Sequence, residues 1–319
     1  MPTALVAALA GGAVSALFYA AVLFGSVGAL ILAYLAPLPL LLAGLWLGLR
    51  ATAIAGGTAA VLVLLASGSV TALVGYAISA AVPAAFVVRQ ALLARPTAGG
   101  GVEWYPPGLL LMGLTGFGIA AFFAAVVWTI GEPGGLEGVL RETLAGMVRA
   151  VAPEGGTTTA QSGALGPEAF GIARLMPGLV VVSWLLMTII NGALAQGLLM
   201  RFSRNRRPPM RITEVELPGW LPPAFALAVA GAALLPDPAG FLALNVALVL
   251  AVPFSFAGLA VVHAFAGRQK ARVALLVGFY LFLFLFGWPI VVLVGLGVIE
   301  QWIGLRRRWA NAGPDQEDE

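Results

Sequence analysis

The sequence predicts an all-α protein: a polytopic transmembrane helical bundle of about ten crossings with both termini in the cytoplasm. Three observations predict it. Of 319 residues, 61% are hydrophobic and 10% charged, against about 25% charged in a soluble domain. The apolar residues fall in continuous runs of about 15 to 28, long enough to cross a bilayer as helices. They do not alternate with polar residues as barrel strands do. The charges fall at the ends of these runs. Arg50, Arg89 with Arg95, Arg201 to Arg211, Arg268 to Arg272 and Arg306 to Arg308 mark one side. Glu132, Glu137, Glu142, Glu154, Glu168 and Asp237 mark the other. Basic residues collect on the cytoplasmic face.

The first run spans Ala4 to Phe24. No basic segment precedes it, so it reads as a retained first span. The second, Val27 to Leu49, contains Pro37 and Pro39; the third is Ala51 to Ala66; the fourth, Val70 to Leu93, contains Pro83. After a Gly-rich turn comes the fifth, Pro107 to Ile130. The sixth is Leu175 to Met200, and a basic loop leads to a seventh at Trp220 to Leu235. The eighth, Phe241 to Phe265, contains Pro253. The last stretch, Val273 to Leu305, is too long for one helix, and Pro289 in Gly287-Trp288-Pro289 divides it. As a single span it would place Arg306 to Arg308 on the acidic side, so two spans fit the charges better. If the short or proline-broken segments re-enter the membrane, the count falls to about eight.

The chain then divides into an N-terminal bundle (1–130), an external loop (131–170), a C-terminal bundle (171–308) and an acidic tail (309–319) that reads as disordered. Within the loop, Leu136, Val139, Leu140, Leu144, Met147, Val148 and Val151 recur at helical spacing. Residues 135–151 are therefore expected to form an amphipathic helix, either a tether on the membrane face or a lid over a cavity. The Gly/Thr-rich segment from Pro153 to Gly166 reads as mobile. Ala81 to Phe86 echoes Ala251 to Phe256, either by chance in so apolar a chain or from duplicated halves.

Ala4, Ala8, Gly12, Ala16 and Ala20 fall on one helical face. Such a seam lets another helix approach closely. It packs inside the chain's own bundle or docks a partner. Asn191, Gln196, Asn245, His263, Glu300 and Arg89 are polar groups inside apolar runs, where burial is unfavourable unless they are paired. They are the candidates for a substrate path. Glu300 either pairs with Arg306 or Arg307 or couples to an ion. His263 either snorkels to the interface or relays protons. Pro37, Pro39, Pro83, Pro253 and Pro289 are the candidate helix breaks, where transporters bind cargo.

The absence of cysteine excludes thiol chemistry, and a single histidine excludes a multi-histidine metal site. No metal or cofactor is expected. Lys270 has no P-loop around it. Ser67 and Ser69 fall at the opposite predicted face from His263, against a serine-protease arrangement. No enzymatic activity is expected, and the net charge of +3 sits in loops rather than marking nucleic-acid binding.

Asn245, the run Gly258 to Val262, the ending Gly297 to Arg306, and Ala36-Pro37-Leu38-Pro39 resemble the YybS-like membrane-protein family (domain of unknown function 2232). Glu300 stands where that family's pattern has an aspartate. The resemblance implies a bacterial inner-membrane protein. That family is distantly similar to the substrate-binding S components of energy-coupling-factor vitamin transporters. Those dock through an Ala-x-x-x-Ala seam in the first helix, which Ala4 to Ala20 would match; they have fewer spans than this chain. The function expected is membrane component of a small-molecule transport system, with the lipid bilayer and a membrane partner or ATPase module as partners. The alternative is a non-transporting envelope scaffold or assembly factor.

Overall fold

The computed structural model describes residues 2–21, 27–97, 99–151 and 167–311. Each apolar run forms helix, and the protein is an all-α bundle. In chain order the helices are α1 (Pro2–Ala20), α2 (Val27–Tyr34), α3 (Pro37–Leu47), α4 (Leu49–Ser67), α5 (Val70–Tyr76) and α6 (Val82–Ala91). A short antiparallel hairpin follows, β1 (Ala94–Pro96) with β2 (Val102–Trp104), in which Arg95 faces Glu103. Then come α7 (Pro107–Trp128), α8 (Gly135–Val151), α9 (Pro167–Arg201), α10 (Leu221–Leu234), α11 (Ala239–Gly267), α12 (Arg272–Phe286), α13 (Pro289–Ile303) and α14 (Leu305–Asn311).

Among the described residues, seven stretches are long and apolar enough to cross a membrane: Thr3–Ala20, Gly28–Leu47, Leu49–Ser67, Val70–Ala91, Pro107–Trp128, Gly171–Arg201 and Ala239–Gly267. The other three apolar helices, α10, α12 and α13, have 14, 15 and 15 residues. At 1.5 Å per residue each spans roughly 21 to 23 Å, short of a ~30 Å hydrocarbon core. The ten expected segments are thus of two kinds, seven long enough to cross and three shorter.

The prolines behave in different ways. Pro37 begins α3 and Pro289 begins α13, where a missing N–H leaves no gap in the ladder. Pro83 lies just after a π turn, Ala77–Ala81. Pro253 is a correction: α11 runs through it without interruption. The sixth span also starts earlier than expected, because α9 extends back to Pro167 and carries Pro177 inside it.

The chain folds as two compact units. Unit 1 comprises residues 1–114 and 184–216, and unit 2 comprises 115–183 and 217–319. In unit 1, α1 packs on α3 and α4, and α3 on α4 and α6. The small-residue seam is part of that core. Ala8 and Ala16 are buried, and a Cβ on Gly12 would lie 2.4 Å from the Ala55 carbonyl oxygen. At Gly12 the seam therefore packs on α4 inside the chain's own bundle, the first of its two readings.

In unit 2 the closest helix pair is α11 with α13. A Cβ on Gly297 would lie 1.9 Å from the Phe254 carbonyl oxygen, and one on Gly258 2.1 Å from that of Leu293. Each helix thus presents a glycine to the other's backbone, the packing mode of membrane helices. By contrast, α12 buries none of its residues. The helix expected over 135–151 is present, with Glu137 paired to Arg141 one turn on. Pro153 to Gly166 lies outside the described residues, as do the tail residues 312–319.

Candidate functional site

Proline removes a backbone donor and so frees a carbonyl one turn earlier. In a membrane interior a freed group must find another partner. Unit 1 answers this twice at neighbouring places. Between α2 and α3, the Leu38 N–H bonds to the Leu35 carbonyl and the Ala36 N–H to that of Ala33. This tighter turn leaves the Tyr34 carbonyl without its usual partner, the Leu38 N–H. Asn191 Nδ2 from α9 donates to it at 2.7 Å, and also to Met187 O at 2.8 Å. Ser15 Oγ from α1 donates to Ala36 O at 2.6 Å.

The second discontinuity is the π turn before Pro83. Pro83 cannot donate to Ser79 O, and the Trp184 indole N–H takes that place at 2.9 Å. One turn earlier, Tyr76 is fully buried with its hydroxyl 2.7 Å from Ser15 Oγ. Ser15 spends its own proton on Ala36 O, so Tyr76 donates to Ser15. Ser15 therefore joins the two discontinuities into one buried polar network. All the hydrogen-bonding capacity of the Asn191 amide nitrogen is used, but its Oδ1 is buried with no partner. That oxygen is a spare acceptor beside the helix break.

The remaining sequence candidates are engaged separately. In unit 1, Gln196 Nε2 donates to Pro208 O at 3.2 Å, and Arg89 is exposed with a 3.0 Å bond to Gln90. In unit 2, Asn245 is fully buried and bonds to α9 on either side of Pro177. Its Oδ1 accepts from the Gly178 N–H at 2.6 Å, and its Nδ2 donates to Arg174 O at 3.1 Å and Phe241 O at 2.8 Å. Gly178 and Arg174 flank Pro177 in α9. Beyond them, Arg174 makes a bidentate pair with Asp237 at 2.8 and 3.0 Å.

His263 Nδ1 sits 2.9 Å from Leu259 O, which can only accept. Nδ1 therefore donates, and Nε2 lies 3.4 Å from the Tyr280 hydroxyl. Glu300 is 5% exposed and bonds Arg306 Nε at 2.8 Å. In a continuous helix six residues place two side chains on different faces. Gly304, at φ +64°, turns the chain so that Arg306 reaches back. The Glu300 Oε2 is buried without a hydrogen-bond partner.

Sequence reasoning found Asn191 and Asn245 but missed Ser15, Tyr76 and Trp184, which are ordinary residues in an apolar helix. A signal existed: four residues before Pro83 stands Ser79, whose carbonyl must be capped by something. It also missed Arg207, 6% exposed in the basic loop. Arg207 donates to Ala91 O at 3.0 Å and lies 5.6 Å from the Trp104 ring centroid, anchoring the loop to α6 and the hairpin. Burial pushes its guanidinium down from the ordinary range, and the charge of Glu214 partly offsets this. Its Nε has no partner. On the hairpin, Glu103 raises the Arg95 guanidinium through a hydrogen bond and its charge.

Comparison with curated proteins and with solved structures finds no match. A family model does match, covering residues 13–300 and so the Ser15 network, Asn245 and Glu300. The chain belongs to the family described as Predicted membrane protein (DUF2232).

Proposed function

We propose that the chain is a non-enzymatic, membrane-embedded component of a small-molecule transport system, oriented with its arginine-rich ends in the cytoplasm of a bacterial cell. The observation that carries this reading is the pair of helix discontinuities linked by Ser15 and Tyr76, with Asn191 and Trp184 each bonded to a carbonyl beside one of them. Discontinuous helices are where transporters bind cargo and coupling ions, because unwound backbone offers groups that a regular helix consumes. Here two discontinuities meet through one serine, and Asn191 Oδ1 is left as a free acceptor. The network contains no ionisable pair, so it suits a neutral or donor-bearing cargo group rather than a proton relay.

The test is purification of the tagged full-length chain in mild detergent, followed by identification of stoichiometric partners. A nucleotide-hydrolysing subunit is the expected companion. Recovery of the chain alone, with no such subunit, overturns the reading.

A second reading is favoured by α12. Beyond Arg272 it is apolar, yet none of its residues is fully buried. A scaffold that presents this helix to another membrane protein would copurify with that protein and with no ATPase.

A further inference from the structure

The arginine-rich loop of unit 1 is more than an orientation signal. Arg50, Arg201, Arg204 and Arg206 are exposed, and none makes an ion pair among the described residues. Arg204 and Arg206 are held in place rather than free to disperse. Buried Arg207 pins the loop, and Arg204 lies 5.0 Å from the centroid of the Trp46 ring. Arg206 comes close to Gly48 at the turn between α3 and α4. Between the ends of α3 and α9 the loop closes a narrow recess of about 10 Å³, lined by Leu45, Gln196, Leu199, Asn205, Arg206 and Arg207. That is room for about one oxygen atom. Arg207, more than nine-tenths buried, lines it and has an Nε–H with no acceptor.

We infer that this recess and its rim bind the headgroup phosphate of an anionic phospholipid. One phosphate oxygen enters between Arg206, Arg207 and Gln196, and the rest of the headgroup lies under Arg50, Arg201 and Arg204. Guanidinium forks match phosphate oxygens in geometry and charge. The surroundings select a lipid over a free phosphate. Leu49, Leu198, Met200 and Phe202, next to the arginines along the chain, are exposed apolar side chains suited to acyl tails. Basic pockets between membrane helices take anionic headgroups in this way.

The test uses delipidated full-length protein in a non-ionic detergent, titrated with dioleoyl phosphatidylglycerol or dioleoyl phosphatidylcholine. Bound lipid is counted by native mass spectrometry. Phosphatidylglycerol is expected to bind in preference to phosphatidylcholine. Each exposed arginine near an anionic headgroup contributes about fivefold in affinity. The R204Q/R206Q double variant should therefore weaken phosphatidylglycerol binding on the order of 25-fold. R207K, which keeps the charge but removes the inward Nε donor, should weaken it as well. The equally charge-depleted K270Q/R272Q variant should bind as the parent does. R204Q/R206Q changes only exposed side chains, so it remains informative if R207K does not fold. Unchanged binding in R204Q/R206Q overturns the inference, as does equal uptake of the two lipids. Displacement of the lipid by inorganic phosphate at matched concentration overturns it too, in favour of a free-phosphate site.

Discussion

Replacing Asn245 with alanine removes three buried hydrogen bonds at once: those to Gly178 N, Arg174 O and Phe241 O. Polar contacts inside membrane proteins average about 0.6 kcal/mol each. The three together predict a loss of about 2 kcal/mol. The bond to Phe241 O stays within Asn245's own helix. The other two reach α9 on either side of Pro177, and the expectation tested is that they depend on that proline. Pro177→Ala restores an N–H and lets the Gly178–Arg174 pair re-form. In that background Asn245→Ala should lose only the Phe241 bond, about 0.6 kcal/mol. The expected coupling between the two sites is thus a little over 1 kcal/mol. The assay is reversible unfolding of all four cycle members in mixed micelles. If the two changes add within about 0.5 kcal/mol, the amide does not repair the proline break and the reasoning fails.

Gly297→Ala forces a methyl to 1.9 Å from the Phe254 carbonyl and should push α11 and α13 apart. The expected loss exceeds the 1–3 kcal/mol of ordinary overpacking (about that range in well-packed cores), whereas Gly295→Ala, with open space at its Cβ, should leave the unfolding midpoint near that of the parent. Tyr76→Phe deletes the one donor to Ser15 Oγ and should cost roughly 0.6 to 1 kcal/mol in the same assay, with the fold retained. Arg306→Gln and Glu300→Gln each break the buried pair and should each cost about 3 kcal/mol in the same assay; losses under about 1 kcal/mol would mean the pair is not buried as described.

Much of the architecture was legible in the chain because its physical basis is local. A long apolar run must bury its own backbone polar groups, so every such run is a helix wherever it packs. The break at Gly287-Trp288-Pro289 was readable for the same reason, since proline acts on its own ladder. Pro253 shows the limit of that argument. The same residue type interrupts or continues a helix according to what packs around it, and α11 continues. Helix length was also misjudged at α9, where Glu168 and Arg174 lie inside the helix although they are charged. The Ala4 to Ala20 seam was visible as a pattern, but a pattern of small residues does not name the helix that fills it. That helix is α4, some forty residues along the chain (roughly 40, Gly12 to Ala55).

By itself the sequence determined that this is a membrane-embedded helical bundle with charged ends, and which polar residues needed partners. Only the tertiary structure decided who those partners are. Asn191 finds the Tyr34 carbonyl 157 residues away, and Asn245 finds Gly178 at a separation of 67. Hydropathy and proline placement act within a turn or two, so they are written along the chain. The pairing of one freed carbonyl with one amide depends on which helices pack together, and no local pattern carries that information.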